Sequence, residues 1–279
     1  MRVREFFRQE KDIGRTDLVA IMAFVLATST ERIYTDPERE LPEEVCRRIR
    51  EHVAERKKGK PLSYITGRRE FFSEEFFVDE RVLVPRPETE LLIEEALRIM
   101  AERPSHTSSL RILDMGTGSG IIGITLARHG AAAVTCVDIS LDALLVASAN
   151  AARMQVQDKV ACVCSDLFSS IKTGSGYDII VANLPYVSAS EWHELMTDVK
   201  LEPKIALLGG TLGTEVYERF VEDLPGHLRQ DGVVLCELGG AAQIEAVGDL
   251  MKGHGLHVHS KKDLAGQDRV LIGSWKNLS

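Results

Sequence analysis

The run Leu113-Asp114-Met115-Gly116-Thr117-Gly118-Ser119-Gly120 constrains this chain more than any other segment. It closes a short apolar stretch and opens an amphipathic one, so it reads as the turn between a β-strand and a helix. Glycines at every second position let the backbone turn tightly and approach a ligand with no Cβ in the way. A tight turn alone accounts for one glycine; three of them behind an acid point to a binding loop. The same grammar continues on both sides. Candidate strands fall at 111–115, 133–138, 160–165, 177–182, 233–238, 256–260 and 269–274, with helical stretches at 121–128, 141–154, 214–224 and 242–253. Alternating strands and helices, with mostly apolar strands, predict an α/β fold whose largely parallel sheet is covered on both faces. Sheets of that kind bind ligands at the carboxyl ends of their strands.

Two more acids sit on that rim. Asp138 ends the second strand, where an acid is placed to accept hydrogen bonds from a ribose diol, and Asp166 ends the third in Ser165-Asp166-Leu167-Phe168. Read literally, Gly118-Ser119-Gly120-Ile121-Ile122-Gly123 also fits the dinucleotide fingerprint G-x-G-x-x-G, but a lone match is weak and leaves Asp114 and Gly116 without a task. An acid ahead of three alternating glycines suits a cofactor with no pyrophosphate. S-adenosylmethionine fits, with its ammonium near Asp114 and its adenosine across the next two strands. After the fourth strand comes Asn183-Leu184-Pro185-Tyr186. The Asn183 side-chain oxygen and the Leu184 carbonyl can each accept one hydrogen of a planar NH2 group. Pro185 holds Leu184 extended, which aims that carbonyl, and the Tyr186 ring can pack on a flat amide or base.

The first part of the chain is written differently. Leu18, Ile21, Met22, Val25 and Leu26 form one helical stripe, and Leu41-Pro42-Glu43-Glu44 opens a second helix with Val45, Ile49 and Val53 on its apolar side. The expected organisation is a helical domain over 1–70, a connector hairpin over 71–87 around a polar turn at Ser73-Glu74-Glu75, and a ligand-binding domain over 88–279. Charge is uneven. The whole carries −8, while the segment 43–69 has nine basic and four acidic residues, which reads either as a solvated helix face or as a docking surface. An acidic total discourages a protein that grips nucleic-acid phosphates. No apolar run approaches the roughly 20 residues of a membrane span, and the lead before Leu18 is a poor match to a signal peptide. Five scattered cysteines with no C-x-x-C pair fit a reducing cytoplasm.

Several runs together resemble the HemK/PrmC family, the N5-glutamine methyltransferases of peptide chain release factors. They are Leu62-Ser63-Tyr64-Ile65-Thr66-Gly67, Val84-Pro85-Arg86-Pro87-Glu88-Thr89-Glu90, the glycine loop, Asn183 to Tyr186, Glu202-Pro203 with Ala206-Leu207-Leu208-Gly209-Gly210, and Asp263-Leu264-Ala265-Gly266-Gln267-Asp268-Arg269. The resemblance implies a class I, Rossmann-like, S-adenosylmethionine-dependent methyltransferase with a seven-stranded sheet and a smaller N-terminal helical domain. It implies methionine-moiety contacts at Gly116, Thr117, Gly118, Ser119 and Gly120, ribose binding at Asp138, and adenine contacts at Asp166 and Leu167. It places the target glutamine, of the Gly-Gly-Gln type, at Asn183, Leu184, Pro185 and Tyr186. Arg86 to Glu90 would border the pocket with no individual roles assigned.

Two departures from the family pattern stand out. Leu184 replaces a proline, and Thr211-Leu212-Gly213 follows Gly210 where an acid is usual. The expected partner is a release factor met by a monomer, with neither nucleic acid nor membrane. Three alternatives share parts of the pattern: an RNA adenine N6-methyltransferase, an NAD-dependent dehydrogenase, and a scaffold that keeps the pocket without catalysis. No metal is expected, since His254, His257 and His259 lack the closed ligand set of a zinc site.

Overall fold

The computed structural model describes residues 1–103, 110–130 and 133–276. Among these residues no helix is long and apolar enough to cross a membrane. The chain divides into two compact units, Met1–Arg68 with Met196–Leu201, and Arg69–Leu195 with Glu202–Ser279.

The first unit contains helices α1 (Val3–Gln9), α2 (Arg15–Val25), α3 (Thr30–Thr35), α4 (Glu43–Lys57) and α5 (Leu62–Thr66). The stripe of α2 packs inward as its spacing requires: Leu18, Ile21, Met22 and Val25 join Val3, Phe6, Ile49 and Val53 in one apolar cluster. Pro42 precedes the first turn of α4, Glu43 and Glu44 lie in that turn, and Arg56 and Lys57 lie in the last, an order that suits the helix dipole. The basic excess of this region is partly met in space. Arg47 bridges Glu44 and Glu51, Arg56 reaches Asp17 at 2.7 Å, and Lys57 reaches Glu10 at 2.8 Å. Asp17 and Glu10 lie outside the basic segment, so the imbalance counted along the chain overstates the one carried by the fold.

The second unit continues with the hairpin β1 (Arg68–Phe71) and β2 (Glu74–Phe77), then α6 (Thr89–Glu102), β3 (Arg111–Met115), α7 (Ile121–Arg128), β4 (Ala133–Asp138), α8 (Leu141–Arg153), β5 (Val160–Cys164) and β6 (Tyr177–Ala182). After these come β7 (Val187–Ser188), α9 (Ala189–Glu194), β8 (Leu208–Gly210), α10 (Glu215–Asp223), β9 (Leu228–Glu237), α11 (Ala241–Gly253), β10 (His257–Lys262) and β11 (Asp268–Ser274). Seven strands form the main sheet in the order β10-β11-β9-β6-β3-β4-β5. The pairs from β9 to β5 are parallel, and β11 is antiparallel to both β9 and β10. Chain order reverses between β3 and β6, so the crevice of the fold opens at their carboxyl ends.

Strand periodicity sorts side chains onto the two faces. Ile112, Val134, Ile179, Val181 and Leu235 pack with Leu92 and Ile93 of α6 and with Ile122 and Leu126 of α7. Leu113, Val137, Ile180 and Val234 pack with Tyr217, Phe220, Val247 and Met251 of α10 and α11.

Three details differ from the sequence reading. The hairpin turns at Phe72-Ser73, both with positive φ (51° and 60°), so Glu74 and Glu75 lie in β2 rather than in the turn. Its Phe71 and Phe76 are buried in the core of the second unit. Strand β9 begins at Leu228, five residues before the expected start, because Tyr177 pairs with Leu228 ahead of a register shift. Edge position explains why β5 is mostly uncovered, with Cys162 and Cys164 exposed.

Candidate active site

The glycine loop bridges β3 and α7, at the strand where chain order reverses. Gly116, Gly118 and Gly120 all adopt the left-handed conformation, with φ of +75°, +54° and +84°. The amides of Gly116 and Thr117 both donate to the Val137 carbonyl at 2.9 Å, folding the loop over the end of β4. The Gly118 amide donates to Asp138 Oδ2 at 2.8 Å. A Cβ on Gly116 would lie 3.0 Å from Leu184 and 3.1 Å from the Asn183 carbonyl oxygen, so this glycine is what lets the two loops meet. Gly120 and Gly123 serve packing instead: a Cβ would strike Ile124 from the first and Cys136 from the second.

Asp114 does not take the place expected for it. Its carboxylate is fully buried and turned into the loop, where Oδ2 accepts from the Thr117 hydroxyl at 2.6 Å and from the Gly123 amide at 2.8 Å. Burial raises its pKa to about 6 against those two donors. Thr117 and Ser119 are buried too, at 3 % exposure each. The loop therefore offers a ligand backbone rather than side chains, and Asp114 braces it from behind.

In front of the loop lies a cavity of about 270 Å³, lined among others by Gly116, Gly118, Asp138, Asp166, Leu167, Asn183, Leu184 and Pro185. Asp138 faces it while holding the amides of Gly118 and Ser140, and burial pushes its pKa up. Asp166, on the rim, pairs with Arg219 at 2.7 Å. Leu167 has a positive φ of 49°, an uncommon state for a branched residue. The Ser165 hydroxyl maintains it by donating to the Leu167 carbonyl at 2.8 Å and accepting from the Ser170 amide at 2.9 Å. Asp138, Leu167 and the glycine loop thus meet at one site with Asn183.

The loop after β6 is tied down by residues far away in sequence. Tyr217, fully buried on α10, donates to the Glu237 carbonyl at 2.5 Å and accepts from the Leu184 amide at 3.1 Å. Asn183 Nδ2 donates to Thr89 Oγ1 at 3.2 Å, and the Tyr186 hydroxyl donates to Glu237 Oε1 at 3.4 Å. The Tyr186 carbonyl accepts from Gln243 at 2.7 Å. Tyr186 itself lines a second recess, with Glu191, Gly239, Gln243 and Arg269. Residues of this loop thus line two recesses, Asn183, Leu184 and Pro185 the first and Tyr186 the second.

The segment from Val84 to Glu90 now acquires individual roles. Glu202, 2 % exposed at its side chain, accepts from the Val84 amide at 2.8 Å and from Arg86 at 2.6 Å, and this clasp sets Val82, Leu83, Pro203 and Ile205 along the first cavity. Thr89 supports Asn183, and Glu90 accepts from the Phe72 amide at 3.2 Å. Asn150 of α8 donates to the Ser119 carbonyl at 2.8 Å while exchanging hydrogen bonds with the backbone of Phe77, linking hairpin to glycine loop. Tyr217, Glu237 and Asn150 carry no local motif, and their buried polar groups are recognised only once the fold brings their distant partners to them.

After Gly210, where the family pattern has an acid, Glu215 stands in from the next helix. Its carboxylate accepts from the amides of Thr211, Leu212 and Gly213 at 2.6, 2.9 and 2.9 Å, and those donors hold its pKa low.

Comparison with known proteins places this arrangement among methyltransferases. Residues 89–201 match the methyltransferase small domain and residues 2–67 the PrmC N-terminal domain. A release factor glutamine methyltransferase of Rhodopirellula baltica is 38 % identical over 273 residues, which cover 96 % of this chain and 92 % of that protein. One from Chlorobaculum tepidum is 40 % identical over 248 residues, 86 % of this chain and 84 % of the other. In fold, the chain is similar to the N-terminal domain of human METTL16 in complex with SAH, at TM-score 0.55 and 18 % identity, covering 82 % of this chain and 84 % of that one.

Proposed function

The chain belongs to the release factor glutamine methyltransferase family, and from that membership we infer that it transfers a methyl group from S-adenosylmethionine to the side-chain nitrogen of a glutamine in a peptide chain release factor. The observation that carries the reading is that Asn183, Leu184 and Pro185 line one cavity with the glycine loop, Asp138 and Leu167, so the groups that would hold the acceptor amide and those that would hold the methyl donor meet in one place.

The first recess fits the cofactor on its own chemistry. Gly116 and Gly118 line it without side chains, and Asp138 retains carboxylate lone pairs for a hydroxyl pair while holding the amides of Gly118 and Ser140. Leu167 and Pro185 offer apolar surface to a base. S-adenosylmethionine, when bound, supplies a methyl group on a sulfonium with a neutral thioether as leaving group. Asn183 and Leu184 do the rest of the work on the acceptor. An amide nitrogen is a weak nucleophile because its lone pair is delocalised. Accepting hydrogen bonds at Asn183 Oδ1 and at the Leu184 carbonyl stabilises positive charge that develops on that nitrogen, and the nitrogen then sheds one N–H proton to water to give the neutral N-methyl amide. Holding it in line contributes up to ~7–11 kcal/mol in favourable cases. Leu184 keeps the carbonyl that a proline would have offered there, and the Tyr217 bond to its amide replaces some of the missing ring's stiffness. The N-terminal helices, with their basic residues Arg48 and Lys58 and the paired Arg47, would meet the release factor, which the enzyme engages as a monomer in the cytoplasm.

The test is incubation with labelled cofactor and a release factor, and separately with a release factor whose target glutamine is replaced, followed by peptide mass mapping. Label confined to that glutamine is the expected result. Label on RNA in a mixture containing both would overturn it.

A further inference from the structure

Asn150 is a fully buried polar side chain on α8, where the other inward residues are Ala143, Leu144, Val146, Ala147 and Ala151. All of its hydrogen bonds described above go to main chain. Oδ1 accepts from the Phe77 amide at 2.8 Å, and Nδ2 donates to the Phe77 carbonyl at 2.9 Å and to the Ser119 carbonyl at 2.8 Å. A main-chain N–H only donates and a C=O only accepts, so these partners fix which way round the amide stands. The flipped amide would set its oxygen against two carbonyl oxygens.

Both partners adjoin the first cavity. Ser119 lies between Gly118 and Gly120, whose φ values of +54° and +84° are open to glycine at little cost and are as easily left. Such a loop is held in place by its hydrogen bonds. Asp138, which lines the cavity, takes the Gly118 amide, and the buried Asn150 takes the next carbonyl. Phe77 ends β2, and the chain runs on through buried Val78 to Arg81, Val82 and Leu83, which line the same cavity. One side chain thus joins the glycine loop to the stem of a second lining segment, across 31 positions on one side and 73 on the other.

We propose that Asn150 is a positioning residue for the methyl donor, holding the glycine loop and the segment after β2 together so that the cavity is preformed and its occupancy is felt at β2. The proposal rests on the reading that this cavity holds S-adenosylmethionine. A loop already held in its binding conformation needs less ordering when the ligand arrives. Loss of the two Nδ2 bonds therefore weakens cofactor binding while leaving Asn183 and Leu184 to act on the acceptor. Occupancy that stiffens the loop stiffens β2 through the same amide, since coupling between two places in a protein is reciprocal.

The experiment compares wild type, Asn150→Ala, Asn150→Asp and Asp138→Ala as full-length proteins. Calorimetry gives the affinity for S-adenosylmethionine, and steady-state kinetics with a release factor gives kcat at saturating cofactor. Hydrogen exchange follows β2 (Glu74–Phe77) with and without S-adenosylmethionine. Asn150→Ala should bind the cofactor about tenfold or more weakly, as expected when buried carbonyls lose their donors, with kcat at saturation within about threefold of wild type. Asn150→Asp keeps the shape and the acceptor but offers at most one hydrogen where asparagine offers two. It should bind weakly as well, whereas packing alone predicts full affinity, and it carries the test if the alanine variant unfolds. S-adenosylmethionine should slow exchange across β2 in wild type and leave it unchanged in the Asn150 variants. Asn150 variants that bind within about twofold of wild type, that lose kcat as far as they lose affinity, or whose β2 responds to the cofactor as wild type does, overturn the proposal. The cavity reading then survives if Asp138→Ala binds weakly. An Asp138→Ala protein that binds as wild type does overturns both.

Discussion

Arg86 and Glu202 lie 116 residues apart in the chain and 2.6 Å apart in space, and their clasp joins two segments that both line the first cavity. Glu202 is almost wholly buried and Arg86 about one-third exposed. Replacing Arg86 with Ala removes the guanidinium from a buried carboxylate that keeps its bond from the Val84 amide. A loss of about 1–3 kcal/mol is expected, below the full cost for a deeply buried pair because one partner is reached by water. Chemical denaturation measures it. Cofactor affinity should fall in parallel, since Val82 and Ile205 depend on the clasp for their positions. A variant as stable as wild type would mean that water or another cation substitutes for the guanidinium.

Gly116 is a second point where two loops depend on one contact. Its φ of +75° disfavours any side chain, and a Cβ would press on Leu184 and on the Asn183 carbonyl. Gly116→Ala should cost roughly 1–2 kcal/mol in stability from strain alone. Methyl transfer should fall further than cofactor affinity does, because the push falls on the loop proposed to hold the acceptor. Steady-state kinetics beside calorimetry separate the two, and equal losses in both would contradict the contact.

Asp138 and Asn183 line the same cavity, and in the proposed function they serve different halves of the reaction. Asp138→Ala removes the acceptor for a hydroxyl pair and frees the Gly118 amide, so cofactor binding should weaken by roughly 1–3 kcal/mol. Asn183→Ala should leave that affinity within a few-fold and reduce kcat by about a hundredfold or more, the usual loss when a preorganised hydrogen-bonding group is removed. Activity within threefold of wild type would remove Asn183 from the mechanism.

What could be read in the sequence follows from how far each determinant reaches. Strands β3 and β6 are buried on both faces, so they appear as mostly apolar runs, and Arg111–Met115 and Tyr177–Ala182 fall where the pattern puts them. The start of β9 was hidden because Arg229, Gln230 and Asp231 are polar, exposed and followed by Gly232, which looks like a loop until Leu228 is seen opposite Tyr177. The hairpin turn was misplaced for a related reason: Phe72 and Ser73 adopt a conformation that usually belongs to glycine or asparagine, with the Glu90 carboxylate accepting from the Phe72 amide. The recognition loops were legible because glycine and proline punctuate them locally. Their supports were not. Thr89, Tyr217 and Glu237 act on Asn183 and Leu184 across 94, 33 and 51 positions (the last through Tyr186), and no local pattern records such contacts.

Asp114 gives the glycine loop a pH signature of its own. Burial lifts its pKa to about 6 in the folded chain, against an ordinary value of 3.8. The folded state therefore binds the proton more tightly than the unfolded one. The sign follows: the charged form costs stability above about pH 6, and the cost is relieved as pH falls toward 4. Asp114→Asn removes the titration while keeping an oxygen for Thr117 and Gly123. Glu237 and Asp138 shift in the same direction, but they are common to both proteins and cancel in the difference. Between pH 7 and pH 5, wild type should gain about 1 kcal/mol of unfolding free energy relative to the variant. Urea titrations of both proteins at the two pH values measure that gain, and parallel behaviour would show that Asp114 stays ionised across the window.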